Sequence, residues 1–421
     1  MRLEIARYPV ERAVAGEATR LRGRTLEVDL AGLRERLAAD PRVGDLEVHL
    51  VAPGDSTRLA GVFDLVEPRL KRSGKAGDWP GILSPVRPAG WGRTNALQGV
   101  VVTTCDLDEQ TPLRYLDAGG AGARYSDYGQ LHHVVFTSAA PPGVSPAQHS
   151  RGLLEAELKA SLELAAASVD PAGGTDHEPA AVEVYDLPSL AEPPPAGLPR
   201  VGYIFAIRTQ QRPTLDDEPI LYGHNVRGLL PTLLHPNEVL DGGLTNGYWC
   251  FQTDTYAIQN HAVVRALAAR HGRDLWFSAV IVYVAPTTQP ERERNVALGV
   301  RLAADVLGLD GVVITKTGGG MPESDLMLLA EGCEEAGVRT ALVAWERLTK
   351  GRSESPLTLF SPRADAIASS GDRDARVVLP PVARVLGSRD PAHAGAITTQ
   401  MYEIPGAINQ FGAGHWRAVD V

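Results

Sequence analysis

The stretch Leu275-Trp-Phe-Ser-Ala-Val-Ile-Val-Tyr-Val-Ala285 is a continuous apolar run rich in β-branched and aromatic residues. An uninterrupted run of this kind predicts a strand that is buried on both faces of a sheet. It is followed by a helical pattern at 291–307 and by a second predicted strand at 311–317. This alternation predicts a parallel sheet that is covered by helices on both faces.

The same alternation continues on both sides of this stretch. Further strands are predicted at 201–207, 340–345, 364–368 and 377–379, and further helices at 261–271 and 324–336. The fold class is therefore α/β, and residues 201–421 are predicted to form a doubly wound, mostly parallel-sheet domain of the Rossmann-like kind.

The first part of the chain has a different character. Short apolar runs broken by Gly, Pro and Asp predict strands at 46–51, 59–66, 99–105 and 131–137, and apolar periodicity predicts helices at 30–39 and 145–167. Residues 1–167 are thus predicted to form a β-rich α+β domain. Residues 168–200, which include Pro193-Pro194-Pro195, are predicted to be a linker whose apolar patch at 182–187 lies against one domain.

Composition excludes several classes of function. A net charge of −10 argues against a nucleic-acid binder, which usually presents a basic face. No run approaches the roughly 20 apolar residues of a membrane span, and no apolar signal core follows the N-terminus, so a cytoplasmic protein is expected. His132 and His133 would point to opposite faces of one strand, so no metal site is expected.

The segment Thr317-Gly-Gly-Gly-Met-Pro-Glu-Ser324 lies between a predicted strand and a predicted helix. Such a loop can offer backbone N–H groups to an anion. The alternative is purely structural, with Ser324 capping the helix and Pro322 and Glu323 shaping the turn.

Cys250 lies in the polar, turn-forming segment Asp241-Gly-Gly-Leu-Thr-Asn-Gly-Tyr-Trp-Cys250-Phe-Gln-Thr-Asp254. A single cysteine is most often a small buried apolar residue. The alternative is a nucleophile, which needs a nearby base and hydrogen-bonding partners. Asp254, Asn246 and His261 are the residues that could supply them.

Ten segments together resemble one protein family. They are residues 51–58, 66–69, 92–94 with Gly99, Thr104-Cys105, Val201-Gly-Tyr203, Pro231-Thr-Leu-Leu-His-Pro-Asn-Glu-Val-Leu-Asp-Gly242, Arg270-His-Gly272, Gly308-Leu-Asp-Gly311, Pro322 with Asp325-Leu326, and Pro362-Arg-Ala-Asp365. In type and order they resemble component B of glycine, sarcosine and betaine reductases, specifically the proprotein of the α and β subunits. The resemblance spans nearly the whole chain.

The resemblance implies a specific chemistry. Proproteins of this family cleave themselves before an internal cysteine, which becomes an N-terminal pyruvoyl group, and Cys250 is the matching position. A pyruvoyl carbonyl condenses with a primary amine and acts as an electron sink beside the C–N bond. A γ-like partner subunit carries a thiol or selenol that attacks the substrate carbon. The outcome is reductive cleavage of a C–N bond in a small amine or amino acid within a multisubunit complex.

This sequence departs from the family pattern next to the cysteine. The family has a small polar residue there, whereas Tyr248 and Trp249 precede Cys250. Trp249 has only a remote donor with which to polarise the scissile carbonyl. Three functions therefore stay open: a processed pyruvoyl enzyme, an uncleaved subunit that binds substrate and docks a catalytic partner, and an unrelated ligand-binding module.

We expect the active site at the carboxyl edge of the parallel sheet, where open α/β sheets bind ligands. The loops expected there are 208–211, the Cys250 region and 318–322, and Gly319 and Gly320 are expected to contact substrate. Arg208 could bind a carboxylate, because its planar guanidinium suits one. Glu238 and Asp241 could orient an amine.

Overall fold

The structure, a computed structural model, describes residues 1–108, 114–169, 176–208, 219–246, 253–346, 359, 361–412 and 417–418. It is a mixed α/β fold, as the sequence predicted. The division into a β-rich domain, a linker and a doubly wound domain stays a prediction.

The strands of the first part are β1 (Arg2–Pro9), β2 (Arg12–Ala15), β3 (Arg20–Arg22), β4 (Thr25–Val28), β5 (Gly44–Val51), β6 (Thr57–Ala60), β7 (Val62–Val66), β8 (Arg69–Lys71), β9 (Gly92–Gln98), β10 (Val100–Asp106), β11 (Tyr115–Asp117), β12 (His132–Ala139) and β13 (Ala181–Asp186). Those of the second part are β14 (Arg200–Arg208), β15 (Pro219–Leu221), β16 (His224–Asn225), β17 (Thr232–Leu234), β18 (Trp276–Ala285), β19 (Gly311–Lys316), β20 (Arg339–Glu346), β21 (Ile367–Asp372), β22 (Arg376–Leu379), β23 (Arg384–Leu386), β24 (Ile397–Gln400) and β25 (Arg417–Ala418).

The α-helices are α1 (Leu30–Ala38), α2 (Pro146–Ala166), α3 (Pro236–Leu240), α4 (Thr255–Gln259), α5 (Ala262–Arg270), α6 (Gln289–Arg301) and α7 (Met321–Glu335). A π-helical turn, Leu302–Val306, continues α6. Short 3₁₀ turns lie at Gly122–Tyr125, Asp127–Gln130, Pro391–Ala394 and Met401–Glu403. Within the described ranges, no helix is both long enough and apolar enough to cross a membrane.

A seven-stranded sheet in the order β17-β18-β14-β19-β20-β21-β25 organises the second part. Its five inner strands run parallel, and the two edge strands are antiparallel to their neighbours. Side chains of α3, α4 and α5 pack on one face and side chains of α6 and α7 on the other. Because both faces are buried, the central strands β14 and β18 are almost continuously apolar.

The first part contains two four-stranded mixed sheets, in the orders β13-β1-β9-β8 and β5-β12-β10-β7. Helix α2 packs across strands of both sheets. It begins where the sequence predicts, because Ser145 and Gln148 form a reciprocal capping box and Pro146 occupies the first turn.

Two strand pairings connect distant parts of the chain. Strand β13, within the predicted linker, pairs antiparallel with β1. Strand β23 pairs in parallel with β6 of the first part. The buried side chain of Arg58 on β6 supports this second contact, donating hydrogen bonds to the carbonyls of Pro380, His393 and Gly395 at 2.6–2.9 Å.

Two predicted boundaries are wrong. Helix α7 begins at Met321 with Gly320 as its N-cap, so Ser324 lies inside the helix and does not cap it. Pro322 falls in the first turn, where its missing N–H is tolerated. The strand predicted at 364–368 is observed at Ile367–Asp372, because the carbonyl of Ser361 and the N–H of Ala364 close a turn.

Candidate functional site

The carboxyl ends of the inner strands carry the first group of candidate residues. Strand β14 ends at Arg208 and strand β19 ends at Lys316. The backbone N–H of Arg208 donates to the hydroxyl of Thr317 at 2.9 Å, so the two strand ends are joined. In the sheet, β14 lies between β18 on one side and β19 on the other. The carboxyl ends of such neighbouring strands are where open α/β sheets commonly bind ligands.

The glycine loop that follows β19 is shaped by its neighbours. Gly318 and Gly320 have φ of 81° and 77°, conformations that residues with a Cβ rarely adopt. The buried ammonium of Lys316 donates to the carbonyl of Gly318 at 2.6 Å and lies 4.4 Å from the ring centre of Trp345. The guanidinium of Arg373 lies over the same ring at 4.9 Å. The buried carboxylate of Glu323 pairs with Lys316 at 3.4 Å and accepts a hydrogen bond from the indole of Trp345 at 3.0 Å, so groups of both charges border the loop.

Gly319→Ala is expected to lower the free energy of unfolding by about 1–3 kcal/mol through overpacking. The added methyl would lie 2.7 Å from Nη1 of Arg373 and 3.0 Å from Cζ2 of Trp345. Urea unfolding measures the loss. Gly311→Ala is the matched control, because its methyl would meet only a carbonyl oxygen at an ordinary 3.5 Å. Equal stability of the two variants would contradict the expectation.

His261 lies in an aromatic environment at the start of α5. Its Nε2 is 3.2 Å from the hydroxyl of Tyr203, and its ring stacks on Phe411 with 5.0 Å between centroids. Burial lowers the pKa of His261 to about 3, so the imidazole is neutral near pH 7. Its Nδ1 is buried and has no hydrogen-bond partner among the described residues.

The residue before Phe411 connects this histidine to the glycine loop. With its amide oriented so that both ends are satisfied, Gln410 donates to the carbonyls of Lys316 and Gly318 at 2.9 and 3.2 Å. The segment that contains Gln410 and Phe411 thus contacts both His261 and the loop after β19.

Cys250 lies outside the described residues, in what we call the cysteine-containing segment, residues 247–252. The described chain stops at Asn246 and resumes at Thr253. These two ends are tied together, because the backbone N–H of Asn246 donates to the hydroxyl of Thr255 at 3.0 Å.

Polar atoms at both ends of this segment are buried without partners. Asn246 Nδ2, Thr253 Oγ1 and Asp254 Oδ2 have no hydrogen-bond partner within the described part of the chain. The other oxygen of Asp254 accepts a hydrogen bond from Arg114. Buried polar atoms of native proteins are nearly always hydrogen-bonded. These three atoms are therefore available to form hydrogen bonds with a further polar group.

Two further buried carboxyl groups adjoin this region, and the sequence interpretation missed both. Asp64 on β7 accepts hydrogen bonds from the backbone N–H and the hydroxyl of Thr255, at 2.8 and 2.5 Å. Glu157 on α2 accepts one from Thr104 at 2.7 Å. The sequence did contain a signal for each: Asp64 is a charged residue inside the apolar run 59–66, and Glu157 is one among the leucines of α2. In the described residues, no group of three His, Cys, Asp or Glu is arranged to hold a metal ion.

Glu238 and Asp241 lie in and next to α3, in a different set of contacts. Glu238 accepts hydrogen bonds from the N–H of His235, in a capping box, and from the hydroxyl of Tyr222. Asp241 accepts from Thr94 at 2.7 Å and forms an ion pair with Lys71. The assignment of these carboxylates to substrate binding stays a prediction.

The structure therefore gathers the predicted residues into three places. Arg208, Gly319 and Gly320 lie at the carboxyl edge of the sheet. Asn246 and Asp254 lie at the two ends of the cysteine-containing segment. Glu238 and Asp241 anchor α3. His261 is linked to the first group through Phe411 and Gln410.

These features define an α/β protein that concentrates buried polar groups at both ends of a segment with one cysteine. The model of the family "Glycine/sarcosine/betaine reductase component B subunits" matches residues 1–404, so the chain belongs to this family. The resemblance seen in the sequence is thereby confirmed.

Individual relatives agree with the family match. The chain is 29% identical to the "Glycine reductase complex component B subunits alpha and beta" of Acetoanaerobium sticklandii, covering 98% of both chains. It is 29% identical to the "Sarcosine reductase complex component B subunit alpha" of Peptoclostridium acidaminophilum, covering 98% of this chain and 94% of the relative. It is 30% identical to the betaine reductase counterpart of that organism, covering 92% and 88%. No solved structure matches the chain.

Proposed function

We propose that this chain is the α/β proprotein of a component B that supports reductive C–N cleavage of a small amine or amino acid. In this proposal Cys250 becomes a pyruvoyl group after the backbone is cut before it. The observation that carries the proposal is the set of unpartnered buried polar atoms at Asn246, Thr253 and Asp254, which flank Cys250 in a member of this family.

The chemical types of these atoms fit backbone cleavage. The amide of Asn246 is a donor that can stabilise negative charge developing on a carbonyl oxygen. The carboxylate of Asp254 and the hydroxyl of Thr253 can accept a proton or orient the thiol. The imidazole of His261 is a further hydrogen-bonding partner in the proposal, since burial lowers its pKa to about 3, which keeps it neutral near pH 7 and makes it a weak base.

Substrate binding is proposed at the carboxyl edge of the sheet. Arg208 is exposed there, beside the loop that holds Gly319 and Gly320, and its guanidinium suits the carboxylate of an amino acid. Glu238 and Asp241 are proposed to orient the amine. Both already accept hydrogen bonds, so this role requires an exchange of partners. When present, a pyruvoyl carbonyl supplies the electron sink for the C–N bond.

The proposal includes a γ-like partner subunit with a thiol or selenol. The sequence has no dinucleotide fingerprint, no C-x-x-C pair and no flavin signature, so the electrons have to come from another protein. The relatives are named as components of reductase complexes, which supports a multisubunit assembly. Location in the cytoplasm is part of the same proposal.

A second candidate function is an uncleaved subunit that binds substrate and docks the catalytic partner. The bulky pair Tyr248-Trp249 before Cys250 favours it, because the resemblance implies a small polar residue at that place. In this case Cys250 keeps its free thiol.

Intact mass spectrometry of the purified chain distinguishes the two functions. Under the first, one fragment ends at Trp249, and the other begins at residue 250, resists Edman degradation and reacts with borohydride or a hydrazine. Cys250→Ala is expected to remain one chain, because a methyl group cannot accept the acyl group. Cys333→Ala is the matched control, since this buried thiol lies on α7 and its loss should not prevent cleavage. A wild-type chain that stays whole with a free Cys250 thiol would favour the uncleaved subunit.

A further inference from the structure

Arg373 lies at the carboxyl edge of the sheet and has no role in the function proposed above. It directly follows β21, and its guanidinium lies over two aromatic rings, 4.9 Å from the ring centre of Trp345 and 4.8 Å from that of Tyr402. Trp345 is on β20, and Tyr402 is in the 3₁₀ turn Met401–Glu403. Two ring contacts restrict the guanidinium before any ligand arrives, which lowers the entropy lost on binding.

The guanidinium of Arg373 keeps hydrogen-bond donors for a ligand. Arginine has five N–H donors and no acceptor. Within the described part of the chain, Nε of Arg373 is buried without a hydrogen-bond partner, and the carboxylate of Asp374 lies 3.4 Å from it in an ion pair. The faces of aromatic rings offer no oxygen acceptor, so N–H groups of Arg373 stay available to an oxyanion.

Arg208 reaches the same glycine loop from the end of β14. A methyl group placed on Gly318 would lie 3.0 Å from Cδ and 3.7 Å from Nη1 of Arg208. One placed on Gly319 would lie 2.7 Å from Nη1 of Arg373. Because neighbouring Cα atoms are about 3.8 Å apart, the two guanidinium groups lie against adjacent residues of one loop.

The peptide between Gly318 and Gly319 adds a backbone donor. Its carbonyl oxygen, that of Gly318, accepts hydrogen bonds from Nζ of the buried Lys316 at 2.6 Å and from Gln410. In a trans peptide the N–H points opposite to the C=O. The N–H of Gly319 therefore points away from Lys316, and Gly319 itself is partly exposed.

The buried carboxylate of Glu323 also borders this loop, but other groups hold it. Its Oε1 would lie 3.4 Å from a methyl group on Gly319. The same oxygen is 3.4 Å from Nζ of Lys316 and accepts a hydrogen bond from the indole of Trp345. Because Glu323 has a cation and an N–H donor of its own, the two arginines remain for an external anion.

We propose that Arg373 acts with Arg208 to bind the carboxylate of the substrate on the glycine loop, an inference that rests on the function proposed above. One carboxylate oxygen accepts hydrogen bonds from each guanidinium, and the N–H of Gly319 donates to the same group. The planar fork of arginine suits two carboxylate oxygens better than an ammonium does. Lys316 is a positioning residue, since it holds the carbonyl of Gly318 and thereby directs the N–H of Gly319.

The test is calorimetric titration of the purified full-length protein with three pairs of small molecules. They are glycine with ethanolamine, sarcosine with N-methylethanolamine, and betaine with choline, and the second member of each pair has a hydroxymethyl group instead of the carboxylate. The pair whose amino acid binds most tightly is then titrated into the variants. Arg373→Lys keeps the charge but loses the fork. It is expected to weaken binding of the amino acid about 10- to 100-fold and to leave the affinity for the alcohol unchanged.

Arg363→Lys is the matched control. Arg363 pairs with Glu335 at the last residue of α7, about 22 Å along this helix from the glycine loop, and both side chains are more than half exposed. This variant should bind the amino acid as wild type does.

Wild-type affinity of Arg373→Lys for the amino acid would overturn the inference. So would equal weakening of the amino acid and its alcohol, since that reports a general structural loss. Tighter binding of inorganic phosphate than of the amino acid would replace the carboxylate site by a phosphate site. A wild-type protein that binds none of the three amino acids would instead contradict the proposed function, and this inference would fall with it.

Discussion

Arg58→Ala is expected to lower the free energy of unfolding by about 3–5 kcal/mol, the range for removing one partner of a buried ion pair. Both side chains of the pair are fully buried, and Arg58 donates two hydrogen bonds to Asp117 at 2.7 and 3.0 Å. The alanine variant leaves Asp117 as an uncompensated buried charge. It also removes the donor shared by the carbonyls of Pro380, His393 and Gly395.

Urea unfolding measures the loss, and limited proteolysis should show faster cutting between residues 380 and 395. Arg389→Ala is the matched control, because its ion pair with Asp45 is mostly exposed, and it should cost no more than about 1 kcal/mol. A loss below that value for Arg58→Ala would show that the contact between β6 and the C-terminal part contributes little.

Two buried histidines are expected to make the protein sensitive to acid, by about 2 kcal/mol each between pH 6.5 and 4.5. Burial lowers the pKa of His133 to about 4 and that of His261 to about 3. As the pH falls below 6.5, the unfolded chain binds these protons first. Stability contributed by the neutral imidazoles is therefore present above pH 6.5 and is lost as the pH falls towards 4 and 3.

The measurement compares wild type with the double variant His133→Gln/His261→Phe in urea at several pH values. The difference in unfolding free energy should shift by about 4 kcal/mol over this range, because the two sites contribute separately. Asp64 has the opposite effect on stability as the pH falls, since burial raises its pKa to about 7. Because Asp64 is present in both wild type and the double variant, its contribution cancels from the difference between them. His224→Gln is the control, because His224 is exposed. A difference that is constant with pH would contradict the expectation.

The parallel strands could be predicted from the sequence because burial on both faces leaves a local pattern. Residues 201–207 and 275–285 are almost entirely apolar, and 311–317 begins with an apolar run up to Ile314; each is observed as a strand within a residue or two of its predicted bounds. The pairing of β23 with β6 left no such pattern, because it joins residues more than 300 positions apart.

The candidate site could be predicted only in part, for similar reasons. The glycine loop and Arg208 follow apolar strands, and their position at the edge of the sheet comes from the general geometry of such folds. The capping box that contains Glu238 could not be predicted, because its N-cap residue is His235, which is unusual at that position. The hydrogen bonds of Asp64 with Thr255 and of Glu157 with Thr104 join elements that meet only in the folded chain.

The order of strands in the seven-stranded sheet determines how the two pieces of a chain cut before Cys250 would behave. Strand β14 belongs to the first piece, yet it lies between β18 and β19 of the second and hydrogen-bonds to both. Strand β23 of the second piece, in turn, pairs with β6 of the first. The products would be a heterodimer with one shared core, and neither subunit could be made alone and mixed later without refolding.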